Sequence, residues 1–145
     1  MGAMEYKFDP ANDIKKMIND FASIDANTEE ALTIAADEGA KLIEAAQKRL
    51  APVRTGKLKN SIERYKRTKK GSASVYIGID FKKNPDLRGR AVANEFGRKE
   101  GRTKTGKKIY KMNAHPFIRP GFDSAEESAF KRATEVFWEK VGLKK

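Results

Sequence analysis

The stretch "TEEALTIAADEGAKLIEAAQKRLAPVRTG", residues 28–56, decides the architecture. Leu32, Ala35, Ala36, Gly39, Leu42, Ile43, Ala46 and Leu50 recur at intervals of three and four, the period that lines one face of an α-helix. Asn27 or Thr28 supplies a cap, and Glu29 and Glu30 stand where the positive end of the helix dipole favours acids. From Thr28 to Leu50 such a helix runs about 34 Å at ~1.5 Å per residue. Ala35, Gly39 and Ala46 are small enough to let a sheet or a second helix approach closely. Pro52 ends the helix, because the residue before a proline is pushed out of the helical region.

Upstream, Asp9-Pro10 reads as a helix start, with Ile14, Met17, Ile18 and Phe21 at helical spacing. "SIDAN" (23–27) is expected to separate this first helix from the long one. Downstream, "SIERYKRTK" and "SASVYIGID" predict two strands joined around Lys69, Lys70 and Gly71. Val75, Ile77 and Ile79 alternate with period two, which buries one face of the second strand. "FKKNPDLRGR" is a polar connection. "AVANEFG" is expected as a third strand, and "HPFIRPGF" as an extended, proline-bounded segment. Asp123 or Ser124 then caps a last helix with Ala129, Phe130, Ala133, Val136, Phe137 and Val141 on one side and Trp138 at its edge. The order predicts an α+β fold: a small, mostly antiparallel sheet packed against a long central helix and a C-terminal helix.

The chain of 145 residues fits a single domain over 4–145, and Met1-Gly2-Ala3 ahead of Met4 reads as a cloning remnant. With no cysteine there is neither a disulfide framework nor a thiolate zinc site. The apolar runs fall far short of the ~20 residues of a membrane span, and the expectation is a soluble, intracellular protein without a membrane contact. The net charge of +11 is uneven. Residues 1–48 carry −5, residues 49–70 carry +8, and residues 98–111 carry +6. Two short segments thus hold more than the whole excess, which points to an acidic or polyanionic partner, although charge runs also serve as plain solvated faces. The "RKEGRTKTGKKIYK" segment (98–111) is expected as an exposed, mobile loop.

Several motifs invite chemistry and fail to carry it. Gly101-x-x-x-x-Gly106-Lys107 matches most of a phosphate-binding loop, but Lys108 stands where the magnesium-holding Ser or Thr belongs. His115 is the only histidine and cannot build a histidine metal site. Ser61, His115 and Asp123 could be named as a triad, yet no elbow glycines surround Ser61. Nucleic-acid binding is the stronger rival. Lysines and arginines neutralise phosphates on any fold, and Tyr65, Tyr76 and Tyr110 could stack on bases, although no recognised nucleic-acid module is present.

Three pieces fall in one order: "APVRTGKLKNSI" (51–62), "ANEFG" (93–97) and "HPFIRPGFD" (115–123). Set between a long helix and a terminal one, they resemble the gene-product-10-like tail-completion or head–tail joining proteins of long-tailed, lambdoid-type bacteriophages. The resemblance spans roughly residues 28–138. Its motif positions here are Pro52, Thr55, Gly56, Leu58, Ser61, Glu95, Phe96, Gly97, His115, Pro116, Arg119 and Pro120. Physically, Gly56 supplies the positive φ of a reversal, Thr55 can bond the turn backbone, and Leu58 and Ile62 drop into the core. Phe96 is expected as an anchor ring beside Gly97, and Pro116 and Pro120 as stiffeners of the last crossing.

The resemblance implies a structural virion protein of the neck or tail, assembled in the host cytoplasm, with no enzyme activity and no cofactor. It implies a ring of copies and contacts with other neck or tail proteins. Arg98, Lys99, Arg102, Lys104, Lys107, Lys108 and Lys111 form the candidate interface, facing a neighbouring subunit, an acidic rim or DNA. That loop is expected to order on assembly. The alternative reading is a basic nucleic-acid-binding domain.

Overall fold

The computed structural model describes residues 10–69 and 72–142. Asp9, Met1–Ala3 and Lys70-Gly71, on which expectations are placed, lie outside them. Among the described residues, four helices and two two-stranded antiparallel sheets give the expected α+β class. Helix α1 (Pro10–Leu50) is 41 residues long, or about 62 Å at ~1.5 Å per residue. The break expected at "SIDAN" does not occur. Ser, Asp and Asn compete for backbone bonds and weaken a helix, but without glycine or proline their cost is small enough for the helix to run through.

The C-terminal end of α1 stops at Leu50, as Pro52 requires. A one-turn helix α2 (Lys57–Asn60) leads into strand β1 (Ile62–Lys69), which pairs with β2 (Ser72–Ile79) from Ile62↔Ile79 to Lys69↔Ser72. Ile77 and Ile79 pack on a core of Ala51, Leu58, Ile62, Ala91 and Phe117. Ile62 and Phe117 are completely buried. A single 3-10 turn (Pro85–Leu87) buries Leu87, which the sequence places in a polar connection. "AVANEFG" is no strand: it lies in helix α3 (Arg88–Phe96), with Ala91 and Ala93 buried. A short apolar run does not distinguish strand from helix by period, and its alanines favour the helix.

Helix α4 (Ile118–Val141) begins five residues before the expected Asp123 cap. It lies antiparallel on α1, and two glycines set the distance between them. A Cβ on Gly39 would stand 2.7 Å from the Ala129 carbonyl oxygen; one on Gly121 would stand 2.7 Å from the Cα of Gln47. Gln47 is itself buried. Its Nε2 donates to the Ile118 carbonyl at 3.0 Å, while its Oε1 has no hydrogen-bond partner among the described residues. The helical stripe is partly displaced from its expected place. Ala31, Ala35, Ala40, Ile43 and Ala46 are buried, whereas Leu42 and Leu50 are exposed, and Phe130 on α4 is 75% exposed.

An ionic cluster ties β1 to α1. Arg64 Nε donates to Asp37 Oδ1 at 3.0 Å and its Nη1 to Glu44, and Lys66 Nζ reaches Asp37 Oδ2 at 3.1 Å. Burial pushes the Asp37 carboxyl up, but the bonds from Lys66 and Arg64 outweigh it and hold the group below its usual range. Arg64→Met should therefore cost about 1–2 kcal/mol, since it leaves two partly buried carboxylates short of a partner while solvent screens the remainder. The check is urea unfolding at low and high salt, with the difference shrinking as salt rises. An equal loss at both ionic strengths would mean the side chain acts through packing alone.

Candidate assembly surface

The Pro52–Ile62 corner takes the form its residues dictate. Gly56 has φ +75°, a conformation that strains any residue with a Cβ. Its carbonyl accepts from Asn60 N at 2.9 Å. Leu58 and Ile62 are buried beneath it. Thr55 is exposed, and the hydroxyl that closes the corner is that of Ser61, which donates to the Lys57 carbonyl at 2.6 Å. Lys57 is paired with Asp86 at 2.7 Å, which links the corner to the turn before α3.

The second and third motif pieces are joined by one side chain. Glu95 Oε2 accepts from the backbone N–H of Phe117 at 2.8 Å and of Ile118 at 3.0 Å, and Oε1 accepts from Arg119 N–H at 3.0 Å. These are the groups that the start of a helix leaves without partners. The carboxylate caps α4 from a distant part of the chain, with its charge at the positive end of the helix dipole. Burial pushes its carboxyl up, but the three backbone bonds outweigh burial and hold it below the ordinary value of 4.5. His115 N–H donates to the Asn94 carbonyl at 2.7 Å, so α3 holds the chain on both sides of Pro116. Pro120 lies in the first turn of α4, where its missing N–H costs nothing, and does not extend the preceding crossing. Phe96 is 78% exposed and anchors nothing within the fold; Glu95 is the anchor of that triplet.

Gly97, with φ +76°, opens the basic segment. A Cβ there would come within 3.0 Å of the Met112 carbonyl oxygen. Residues 98–112 form a hairpin. Arg98 pairs with Met112, and β3 (Gly101–Arg102) pairs with β4 (Lys108–Ile109) in the same register. At its tip Thr103 N–H donates to Lys107 O, Gly106 N–H to Thr103 O, and Lys107 N–H to Thr103 Oγ1. Three of the backbone donors that a phosphate loop would aim at its ligand are therefore spent within the turn, and strand β4, not a helix, follows. Arg98, Lys99, Arg102, Lys104, Lys107, Lys108 and Lys111 are all exposed. Lys108 Nζ lies 5.2 Å from the Tyr110 ring, close enough for a cation–π contact.

The named triad does not gain a common site. The Ser61 hydroxyl is committed to the Lys57 carbonyl, His115 is exposed, and Asp123 faces Arg119 at 3.9 Å on the surface of α4. An open cleft of about 500 Å³ is lined by Tyr65, Ile79, Asp80, Phe81, Lys82 and Arg88, and includes none of the three. Among the described residues no group of three or more His, Asp or Glu side chains is gathered for a metal ion, and no helix is long and apolar enough to cross a membrane.

A family model described as "Bacteriophage HK97-gp10, putative tail-component" matches residues 15–101, more than half of the chain. The chain belongs to the HK97-gp10-like family. The family match takes in the 51–62 corner and the 93–97 piece and ends inside the basic hairpin, ahead of the 115–123 segment that Glu95 holds. Neither a curated protein nor a solved structure matches the chain. Sequence reasoning located the three motif pieces but missed the capping role of Glu95, because its partners lie 22 to 24 residues away. A carboxylate followed by a helix lacking its own cap was the available signal.

Proposed function

We propose that this protein is a structural component of the phage neck or tail, a tail-completion or head–tail joining protein that works as a ring through protein–protein contacts and catalyses nothing. Membership of a family of tail components supports the reading, and the exposed basic hairpin supplies a surface suited to it. Seven cations on one projecting arm favour fast, oriented encounter with an acidic rim on a neighbouring tail protein. The arm is held by few backbone bonds, and it orders fully only on docking. In the virion its place is the tail, with assembly in the host cytoplasm.

The test is addition of the purified protein to phage tails lacking it. Binding, ring-shaped density at the tail end by electron microscopy, and protection of residues 98–111 from protease in the complex are expected. Failure to bind tails at physiological salt would overturn the reading. A second reading, nucleic-acid binding, is favoured by the exposed Tyr110 ring beside Lys108 in the same cationic arm. DNA affinity falling steeply and linearly on a log–log salt plot, with no binding to tails, would select it.

A further inference from the structure

The eight residues of β2, Ser72–Ile79, carry no charge and no proline, and they pair with β1 from end to end without a bulge. Among the described residues this sheet is two-stranded, and no other backbone bond reaches residues 72–79. Every second residue of β2 therefore aims its N–H and C=O out from the edge of the sheet. Strand β1 is different. Its Glu63, Arg64, Lys66 and Arg67 are charged, the usual protection of an edge against a further strand. β2 has no such guard.

The unguarded edge overlooks an aromatic shelf. Ile77 packs on a cluster drawn from both long helices, Ile43 and Ala46 of α1 and Ala125 and Ala129 of α4, so β2 lies over their seam. Arg64 holds β1 to Asp37 and Glu44 on the outer flank of α1, so the free edge of β2 is turned towards α4. The two helices are antiparallel and so share a local two-fold axis. On α1 a turn of roughly 140° leads from Gly39, at the seam, to Glu44. On α4 the same turn leads from Ala129, the neighbour of Gly39, to Thr134, with Phe130 and Phe137 a little short of it. Both rings thus stand on the ribbon's side of the pair. Phe130 is 75% exposed and Phe137 half-buried. Asp123, Glu126 and Glu127, all exposed, precede Phe130 at helical spacing on its side of α4.

The hairpin of residues 98–112 is the complement of this shelf. Among the described residues β3 and β4 pair only with each other, so the hairpin too has free edges. Arg102 stands directly opposite Lys108, two like charges whose repulsion an acidic neighbour relieves. Lys108 shares a face with Tyr110, whose ring is 67% exposed.

We infer that the hairpin of one copy adds as a strand to the free edge of β2 in the next, with Tyr110 on the Phe130 shelf and the hairpin cations against Asp123, Glu126 and Glu127. Strand addition supplies backbone bonds, and the shelf supplies specificity. A symmetric pairing of two β2 edges would instead bring two acidic shelves together. The contact is head-to-tail and repeats until it closes into a ring. This inference rests on the ring reading above and gives it two named surfaces.

Complementation and hydrogen exchange test it. Tyr110→Asp disables the hairpin, and Phe130→Asp disables the shelf. Each should weaken self-association, measured by sedimentation, about thirtyfold or more, the effect of losing one central aromatic anchor. Melting temperatures should stay near wild type, since both rings are exposed. Neither variant alone assembles, but a mixture of the two should form a 1:1 dimer that grows no further, because one working contact remains between them. In assembled wild type, the amides of every second residue of β2 should exchange about tenfold more slowly, or slower still, than in the Phe130→Asp monomer.

Wild-type protein that stays monomeric at its highest soluble concentration would overturn the inference while leaving tail binding intact. Self-association unchanged in either variant, or a mixture that remains monomeric, would overturn it too. So would assembly that brings no new protection to β2. A Phe130→Asp protein that assembles normally yet no longer binds tails would overturn it in favour of another tail protein on the shelf.

Discussion

Replacing Glu95 with alanine should destabilise the protein by about 2–3 kcal/mol, more than an ordinary helix cap, because one carboxylate serves three backbone N–H groups. Phe117, whose N–H is one of the three, is a completely buried centre of the core, so no free water replaces the lost acceptor there. Glu95→Gln keeps the shape and one carbonyl oxygen and should lose roughly half as much. The ionisation of Glu95 gives the pH dependence its sign. The folded state holds the carboxyl below 4.5, so its stabilisation is present above that value and is lost as pH falls through the lowered one. Urea midpoints of wild type and Glu95→Gln should accordingly converge as pH falls through that lowered value. Curves that stay parallel through that range would sink the capping account.

The second large effect is expected at Gly121. A valine there would force its Cβ to within 2.7 Å of the Gln47 Cα and 2.8 Å of its backbone N, neither of which can rotate away. The two helices must separate at the point where Gln47 also donates to Ile118. The expected cost is about 3 kcal/mol, at the upper end of overpacking penalties, seen as a lower denaturant midpoint with an unchanged slope. Removing a glycine from an ordinary helix would instead gain up to about 1 kcal/mol. A stabilised Gly121→Val protein would show that α1 and α4 are not locked at this distance.

These two sites mark the limit of what the sequence discloses. Local rules worked where the controlling partner is near in the chain. Pro52 ends α1, Gly56 turns the corner with positive φ, and of the alternating Val75, Ile77 and Ile79, all half-buried, Ile77 and Ile79 pack on the core. Local rules failed where a distant group decides. Asp123 and Ser124 look like caps, but Glu95 supplies the acceptor earlier, so α4 starts at Ile118 and Ser124 turns its hydroxyl back to the Gly121 carbonyl at 3.1 Å. Phe96 and Phe130 have the composition of core residues and stand on the surface. Hydrophobicity identifies what can be buried, and only the tertiary arrangement, or a docking partner, says what is. The basic segment was legible as exposed and cationic. Its hairpin was not, because the pairing rests on Gly97 and on the turn hydroxyl of Thr103 more than on strand-forming side chains.

The pairing of α1 with α4 also sets the order in which the protein can be made. Gly39 leaves the ribosome about ninety residues ahead of Ala129, its neighbour in the finished fold. At ~5–20 residues per second that is a delay of roughly 5–20 s. The β1–β2 ribbon, local in the chain, emerges first and can dress one flank of the helix in the meantime. The alanine-rich flank that waits for α4 offers little to a chaperone or to a stray neighbour, so small residues at this seam protect the nascent chain as well as seating the last helix.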